Sequence, residues 1–136
     1  MVKLEEYINN IDLDLISNQT LAFIGDGVHS LYIRTYLASK SNIQTGLLHK
    51  KAINYVSAKA QSKIIDNILD NLSEEEFAIY KRGRNTHIAT VSKNADVVEY
   101  KKATGFEALV GFLYLTNNKN RLEEIIKLSI DVIEES

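Results

Sequence analysis

The 136-residue sequence predicts an all-α domain, and three observations carry that expectation. Apolar residues recur at three- and four-residue spacing along most of the chain. Proline is absent, so no residue forbids a long uninterrupted helix. No strand-length run alternates apolar with polar residues, and no Asn-Gly or Asp-Gly hairpin turn joins two such runs.

The elements follow in order. Leu21, Ile24, Val28, Leu31 and Thr35 mark the first long helix, and Leu48, Ala52, Val56, Ala60, Ile64 and Ile68 hold one helical phase across the next segment. Gly46 reads as a turn. Ser73-Glu74-Glu75-Glu76 matches a capping box, with Ser73 at the N-cap and Glu76 three residues on. The short helix it opens is expected to end at Gly83, with Lys81 and Arg82 near its negative end. Arg84 to Lys93 reads as a polar connection, and a helix from about Asn94 to Leu115 follows it. Thr116-Asn117-Asn118 reads as a turn, after which Leu122, Ile125, Ile126, Ser129 and Ile133 give a last amphipathic helix. About six helices in one domain, residues 1–136, is the expectation; there is no repeat and no low-complexity tract.

Composition narrows the chemistry. Without cysteine there is no disulfide scaffold, iron–sulfur site or thiol catalysis. Apolar residues at 45% and charged residues at 25% suit a packed core rather than a disordered chain. The N-terminus, with Glu5, Glu6, Asp12 and Asp14, lacks the basic-then-apolar order of a signal peptide. The longest apolar stretch, Phe106 to Leu115, is interrupted by Glu107 and falls short of the ~20 residues a membrane span needs. A cytoplasmic protein with no membrane partner is the expectation.

The net charge of -2 conceals an uneven distribution. Between Gly27 and Ile65 no acidic residue occurs, while Arg34, Lys40, Lys50, Lys51, Lys59 and Lys63 do. A second basic segment carries Lys81, Arg82, Arg84, Lys93, Lys101 and Lys102 against Asp96 and Glu99. These segments fit either solvated helix faces or a surface that binds a polyanion.

Two carboxylates stand out from their surroundings. Asp26 is the one charged side chain between Ile16 and Ile33, in a helix apolar enough to be largely buried, and glycines flank it at 25 and 27. Such glycines weaken a helix, which suggests that something approaches the backbone closely there. Glu107 repeats the pattern in Ala103-Thr104-Gly105-Phe106-Glu107-Ala108-Leu109-Val110-Gly111-Phe112, where Thr104, Glu107 and Gly111 share a face. Two helices of this kind, crossing closely, bring both carboxylates into one cleft. They then serve either as structural ion pairs with buried Lys or Arg, or as ligands of a hard divalent cation such as Mg²⁺, which takes oxygen ligands and keeps several waters. His29, His49 and His87 lack the spacing of a zinc site, though His29 lies one turn after Asp26. Gly25-Asp26-Gly27 is neither a P-loop nor a dinucleotide fingerprint.

Phe23-Ile24-Gly25-Asp26-Gly27-Val28 resembles the signature of the ribonuclease III catalytic domain, and Phe106-Glu107-Ala108-Leu109-Val110-Gly111 resembles its second acidic motif. Ordinary members carry two further acids where this chain has Ala22 and Thr104. In those absences it is similar to the short Mini-ribonuclease III subfamily, as it is in Arg82-Gly83-Arg84-Asn85 and Ser92-Lys93-Asn94-Ala95-Asp96-Val97. The resemblance implies an all-helical endonuclease fold, a homodimer, dependence on Mg²⁺ with Mn²⁺ as a substitute, and double-stranded RNA as substrate, in particular the precursor of large-subunit ribosomal RNA. It gives Asp26 and Glu107 the catalytic and metal-binding roles and implies no separate RNA-binding domain. It also makes Lys81 to Lys93 an RNA-contacting connection, with Lys81, Arg82, Arg84 and Lys93 as RNA-binding residues; Lys50 and Lys51 join them from the first basic segment. The sequence departs from the subfamily at Gly27, His29 and Ser30, where a carboxylate one turn from Asp26 is missing, and at Thr86 and His87, which reduce charge in the connection. A non-catalytic helical RNA-binding or ribosome-associated module is the alternative reading.

Overall fold

The computed structural model describes residues 1–40, 44–86 and 96–136. Among these it contains seven α-helices, one 3₁₀ turn and no strand: α1 (Leu4–Asn9), α2 (Asn18–Lys40), α3 (Thr45–Val56), α4 (Ala58–Ile68), the 3₁₀ turn (Leu69–Asn71), α5 (Glu74–Arg84), α6 (Val97–Leu115) and α7 (Lys119–Glu134). The all-α expectation therefore holds, with one more helix than the six read from the sequence. Lys93, His87 and the block from Ser92 to Ala95 lie outside the described residues.

From Ala103 to Leu115 α6 carries one charge, Glu107, and is otherwise almost wholly apolar, and such a helix belongs at the centre. It packs against α2, α5, α4 and α7. Phe106, Leu109 and Val110 are fully buried on it and cluster with Ile33 of α2, Ile64 and Ile65 of α4, and Ile125 of α7, while Ala108 joins Leu21 and Ala22 of α2 in a second, smaller cluster. α4 and α7 are strongly amphipathic and cover it with one face each.

Several local expectations change on contact with the fold. The helical phase from Leu48 to Ile68 is broken at Ser57, whose extended backbone ends α3 and whose hydroxyl accepts from the Ala60 amide to cap α4. Periodicity persists across the break because both helices turn their apolar faces to the same core. Gly46 is the second residue of α3, not a turn. α5 runs one residue past Gly83, which is buried where α5 meets α6; a methyl group there would stand 2.9 Å from Ala108 Cβ. α6 starts at Val97 rather than near Asn94, because the Asp96 carboxylate accepts from the amides of Val98 and Glu99. The Ser73–Glu76 capping box is present, and Glu76 also binds Arg121 of α7 through Nε at 2.8 Å. At Asn117, φ is 59°, which turns the chain from α6 into α7.

Candidate active site

The site begins at the crossing of α2 and α6. A Cβ placed on Gly25 would lie 1.7 Å from the carbonyl oxygen of Glu107, and one on Gly111 would lie 2.1 Å from that of Leu21. Both distances are far inside van der Waals contact, so only glycine lets these two backbones touch. Gly27 does otherwise: it is exposed, and nothing lies within 4 Å of its absent Cβ. Close approach thus explains one of the two glycines around Asp26.

This crossing puts Asp26 and Glu107 within hydrogen-bonding reach of each other. Asp26 is exposed at the mouth and Glu107 is half-buried beneath it. Burial pushes the Glu107 carboxyl up to about 8, and the neighbouring Asp26 carboxylate pushes it in the same direction. Among the described residues no Lys or Arg forms an ion pair with either; the four ion pairs found join Lys102 to Asp66, Arg121 to Glu76 and Glu124, and Lys127 to Asp131. Among the described residues, the alternative of structural ion pairs with buried Lys or Arg therefore finds no support. Two converging carboxylates without a cation partner lack positive charge, and their oxygens match the donor set of a hard divalent ion. No group of three or more His, Cys, Asp or Glu side chains suited to a metal occurs among the described residues, so such an ion would take its other ligands from water and substrate.

Beneath the pair lies a buried polar layer that sequence reading did not assemble. His29, fully buried on α2, has its Nδ1 3.1 Å from Nε2 of Gln61, a 2% exposed residue of α4. Gln61 also lowers the Glu107 carboxyl's affinity for protons, against the larger upward pressure of burial and Asp26. The His29 ring meets Phe106 edge-on with centroids 5.1 Å apart, and burial drives its pKa down to about 4, so the ring is neutral at physiological pH. Its Nε2 is buried without a hydrogen-bond partner among the described residues. Gln61 escaped notice because one glutamine in a helix reads as a surface residue. Its position among Ala60, Ile64, Ile65 and Ile68, all buried on α4, was the available signal.

The basic residues divide. Lys81 and Arg82 are exposed at the end of α5, and the Arg82 carbonyl accepts from Asn18 Nδ2 at 3.4 Å, tying this end to the start of the helix that carries Asp26. Arg84 is half-buried, its guanidinium 5.5 Å from the centre of the Tyr80 ring. Lys50 and Lys51 are exposed on α3; Lys51 borders a groove with Tyr36, Tyr55 and Glu134, away from both carboxylates. Ser30 and Thr104 are half-buried, and the Thr104 hydroxyl bonds back to the carbonyl of Tyr100.

Comparison with known proteins supplies the wider setting. Residues 19–118 match the model of the ribonuclease III domain family. The chain is 48% identical over 134 residues to the Mini-ribonuclease 3 of Clostridium tetani, covering 98% of this chain and 89% of that one. It is 48% identical over 126 residues to the Mini-ribonuclease 3 of Streptococcus pneumoniae, covering 91% and 98% respectively. A crystal structure of a Fusobacterium nucleatum protein superposes with a TM-score of 0.78 at 35% identity, covering 88% of this chain and 96% of that one.

Proposed function

Since the chain belongs to the ribonuclease III family, as an endoribonuclease of the Mini-ribonuclease 3 kind, we propose that Asp26 and Glu107 are its catalytic and metal-binding pair, cutting double-stranded RNA with Mg²⁺. The observation that carries this is a pair of carboxylates, within reach of each other, with no Lys or Arg among the described residues to neutralise it. Mg²⁺ is the preferred ion and Mn²⁺ a workable substitute, because both favour oxygen ligands. When bound, such an ion supplies polarisation of the phosphodiester and a more acidic water.

The chain's own residues do the remainder. Asp26, exposed at the mouth, presents its carboxylate to the incoming strand, and Glu107 anchors the inner side of the cleft. Both must be ionised to hold a cation, so loading displaces the proton that Glu107 otherwise keeps near neutral pH. Lys81, Arg82, Arg84 and Lys93 hold phosphates beside the cleft, and Lys50 and Lys51 extend that contact along a longer duplex. A-form RNA offers few base edges to side chains, so recognition rests on phosphates and 2′-hydroxyls. The structured precursor of large-subunit ribosomal RNA, in the cytoplasm, is the substrate this reading favours. Residues 1–136 act as one catalytic domain. That unit works as a homodimer, joined along an apolar stripe of α2 on which Phe23 is 79% and Leu31 65% exposed.

Incubation of the protein with a long RNA duplex, with Mg²⁺ or with chelator, tests the reading. Cleavage should require the ion, and Asp26→Asn or Glu107→Gln should lower the rate by at least about 100-fold while RNA is still bound. Folded variants that cut at the wild-type rate would remove both residues from the chemistry. A wild-type chain that binds the duplex and leaves it whole would favour a non-catalytic RNA-binding module.

A further inference from the structure

The groove between the C-terminal half of α2, α3 and the end of α7 shares no residue with the Asp26–Glu107 site, and the function above leaves its aromatic walls unused. We propose that this groove binds an unpaired ribonucleotide, with the Tyr55 ring stacking on the base and Lys40 and Lys51 holding phosphate. The inference goes beyond the reading of the carboxylate pair and does not depend on it.

Helical spacing assembles the walls. Tyr36 and Lys40 lie one turn apart on α2, and Lys51, Asn54 and Tyr55 lie within one turn on α3, so each set shares a face. With Glu134 of α7 they line a cavity of about 490 Å³, a size that suits a small ligand. Glu134 accepts hydrogen bonds from both tyrosine hydroxyls, from that of Tyr55 at 3.0 Å, and the two rings meet at 68° with centroids 6.3 Å apart. The hydroxyls are thus engaged and the ring planes fixed, so the walls offer a ligand ring faces. Tyr55 is half-buried, which leaves its ring an open side. The Lys40 ammonium stands 5.1 Å from the centre of the Tyr36 ring, and neither Lys40 nor Lys51 forms an ion pair among the described residues. Two cations therefore outnumber the one carboxylate, which the tyrosines already occupy. Aromatic faces beside cations are the combination that binds single-stranded nucleic acid, because the base stacks while the backbone is neutralised. Asn54 supplies a donor and an acceptor for a base edge. A base paired within a duplex stays in its stack and does not enter such a groove, whereas an unpaired one is free to do so. A second cavity, of about 470 Å³, shares Tyr36, Lys40 and Glu134 with the first, so a strand has room for a further nucleotide.

The test measures binding of a labelled hexa-adenylate to the full chain in chelator, by fluorescence anisotropy over a range of salt, so that no cleavage enters. Tyr55→Leu should weaken binding at least about fivefold, whereas Tyr55→Phe, which keeps the ring and loses the bond to Glu134, should stay within twofold of wild type. Replacing Lys40 and Lys51 with alanine should lower the slope of log affinity against log salt by at least roughly 0.7, the share of one phosphate on a single strand. A blunt RNA duplex should bind Tyr55→Leu and wild type alike. Competition identifies the source of the nucleotide: displacement by adenosine monophosphate makes the ligand a free nucleotide, displacement by oligoadenylate alone makes it an RNA strand, and either outcome upholds the site. Hexa-adenylate binding that folded Tyr55→Leu leaves unchanged, or that Tyr55→Phe weakens as much as Tyr55→Leu, would overturn the stacking. An unchanged salt slope would overturn the phosphate contact, and an equal loss of duplex binding would overturn the preference for an unpaired base. None of these failures touches cleavage by Asp26 and Glu107, which the duplex assay with Mg²⁺ reads separately.

Discussion

At the scale of the residue, the carboxylate pair and the histidine under it pull stability in opposite directions with pH. In the metal-free protein Glu107 is raised from 4.5 to about 8, so between those values the folded chain holds a proton that the unfolded chain has released. Stability from this group is complete below pH 4.5 and is lost as pH rises through about 8. His29 is lowered from 6.5 to about 4, so between those values the unfolded chain binds the proton and stability falls as pH falls. The two slopes cancel from about pH 4.5 to 6.5, leaving Glu107 alone above it. Urea unfolding in chelator should therefore show wild type losing stability from pH 6.5 to 8, with Glu107→Gln losing less and ending more stable at pH 8 by roughly 1–3 kcal/mol. Adding Mg²⁺ at pH 8 should restore wild type and leave Glu107→Gln unmoved; identical pH slopes in the two proteins would refute the raised proton affinity of Glu107. Asp26 and Glu107 were legible in the sequence because a lone charge in an apolar helix is conspicuous. Gln61 was not, since its significance depends on which way α4 faces, and that is set by tertiary packing.

At the scale of the element, the α2–α6 crossing separates two glycines that look alike in sequence. Gly25→Ala drives a methyl carbon into the Glu107 carbonyl at 1.7 Å, and relief requires the helices to part. That substitution should cost more than about 4 kcal/mol, the range reserved for severe core disruption, and should abolish cleavage with it. Gly27→Ala meets nothing within 4 Å and keeps helical backbone, so within one chain it should stabilise by about 1 kcal/mol through lower unfolded-state entropy. Chemical denaturation of both variants checks the pair. Helix existence was legible from period and capping; the boundaries at Ser57, Gly83 and Val97 were less so. Each was settled by a capping side chain or a close interhelical contact, which periodicity does not encode. The expectation that α2 is largely buried also failed on one side, because its apolar residues encircle the helix while neighbours in the chain cover only part of it.

At the scale of the whole molecule, that uncovered side and the basic end of α5 both make claims about partners. Lys81 and Arg82 stand exposed beside the start of α2, so replacing both with alanine should weaken duplex binding and reduce the slope of log affinity against log salt by about 2, one per phosphate contact. An unchanged slope would take this end of α5 off the RNA surface. The apolar stripe makes the second claim. Phe23, Gly27 and Leu31 succeed one another at four-residue spacing with no charge between them on that side, and Ile24, Val28 and Tyr114 continue the surface around a cavity of about 520 Å³. Water gains nothing by covering such a strip, whereas a second copy buries it on both partners at once. Leu31→Glu sets two like charges facing across a twofold contact in an apolar setting, so it should give a monomer by light scattering at micromolar concentration. Its melting point should no longer rise with protein concentration, as that of the wild type should. Cleavage separates the consequences. If each Asp26–Glu107 pair works within its own subunit, the monomer still binds Mn²⁺ with near wild-type affinity but grips the duplex less tightly, since half the basic surface is gone. A Leu31→Glu protein that remains dimeric would place the contact elsewhere and leave the α2 stripe without an occupant.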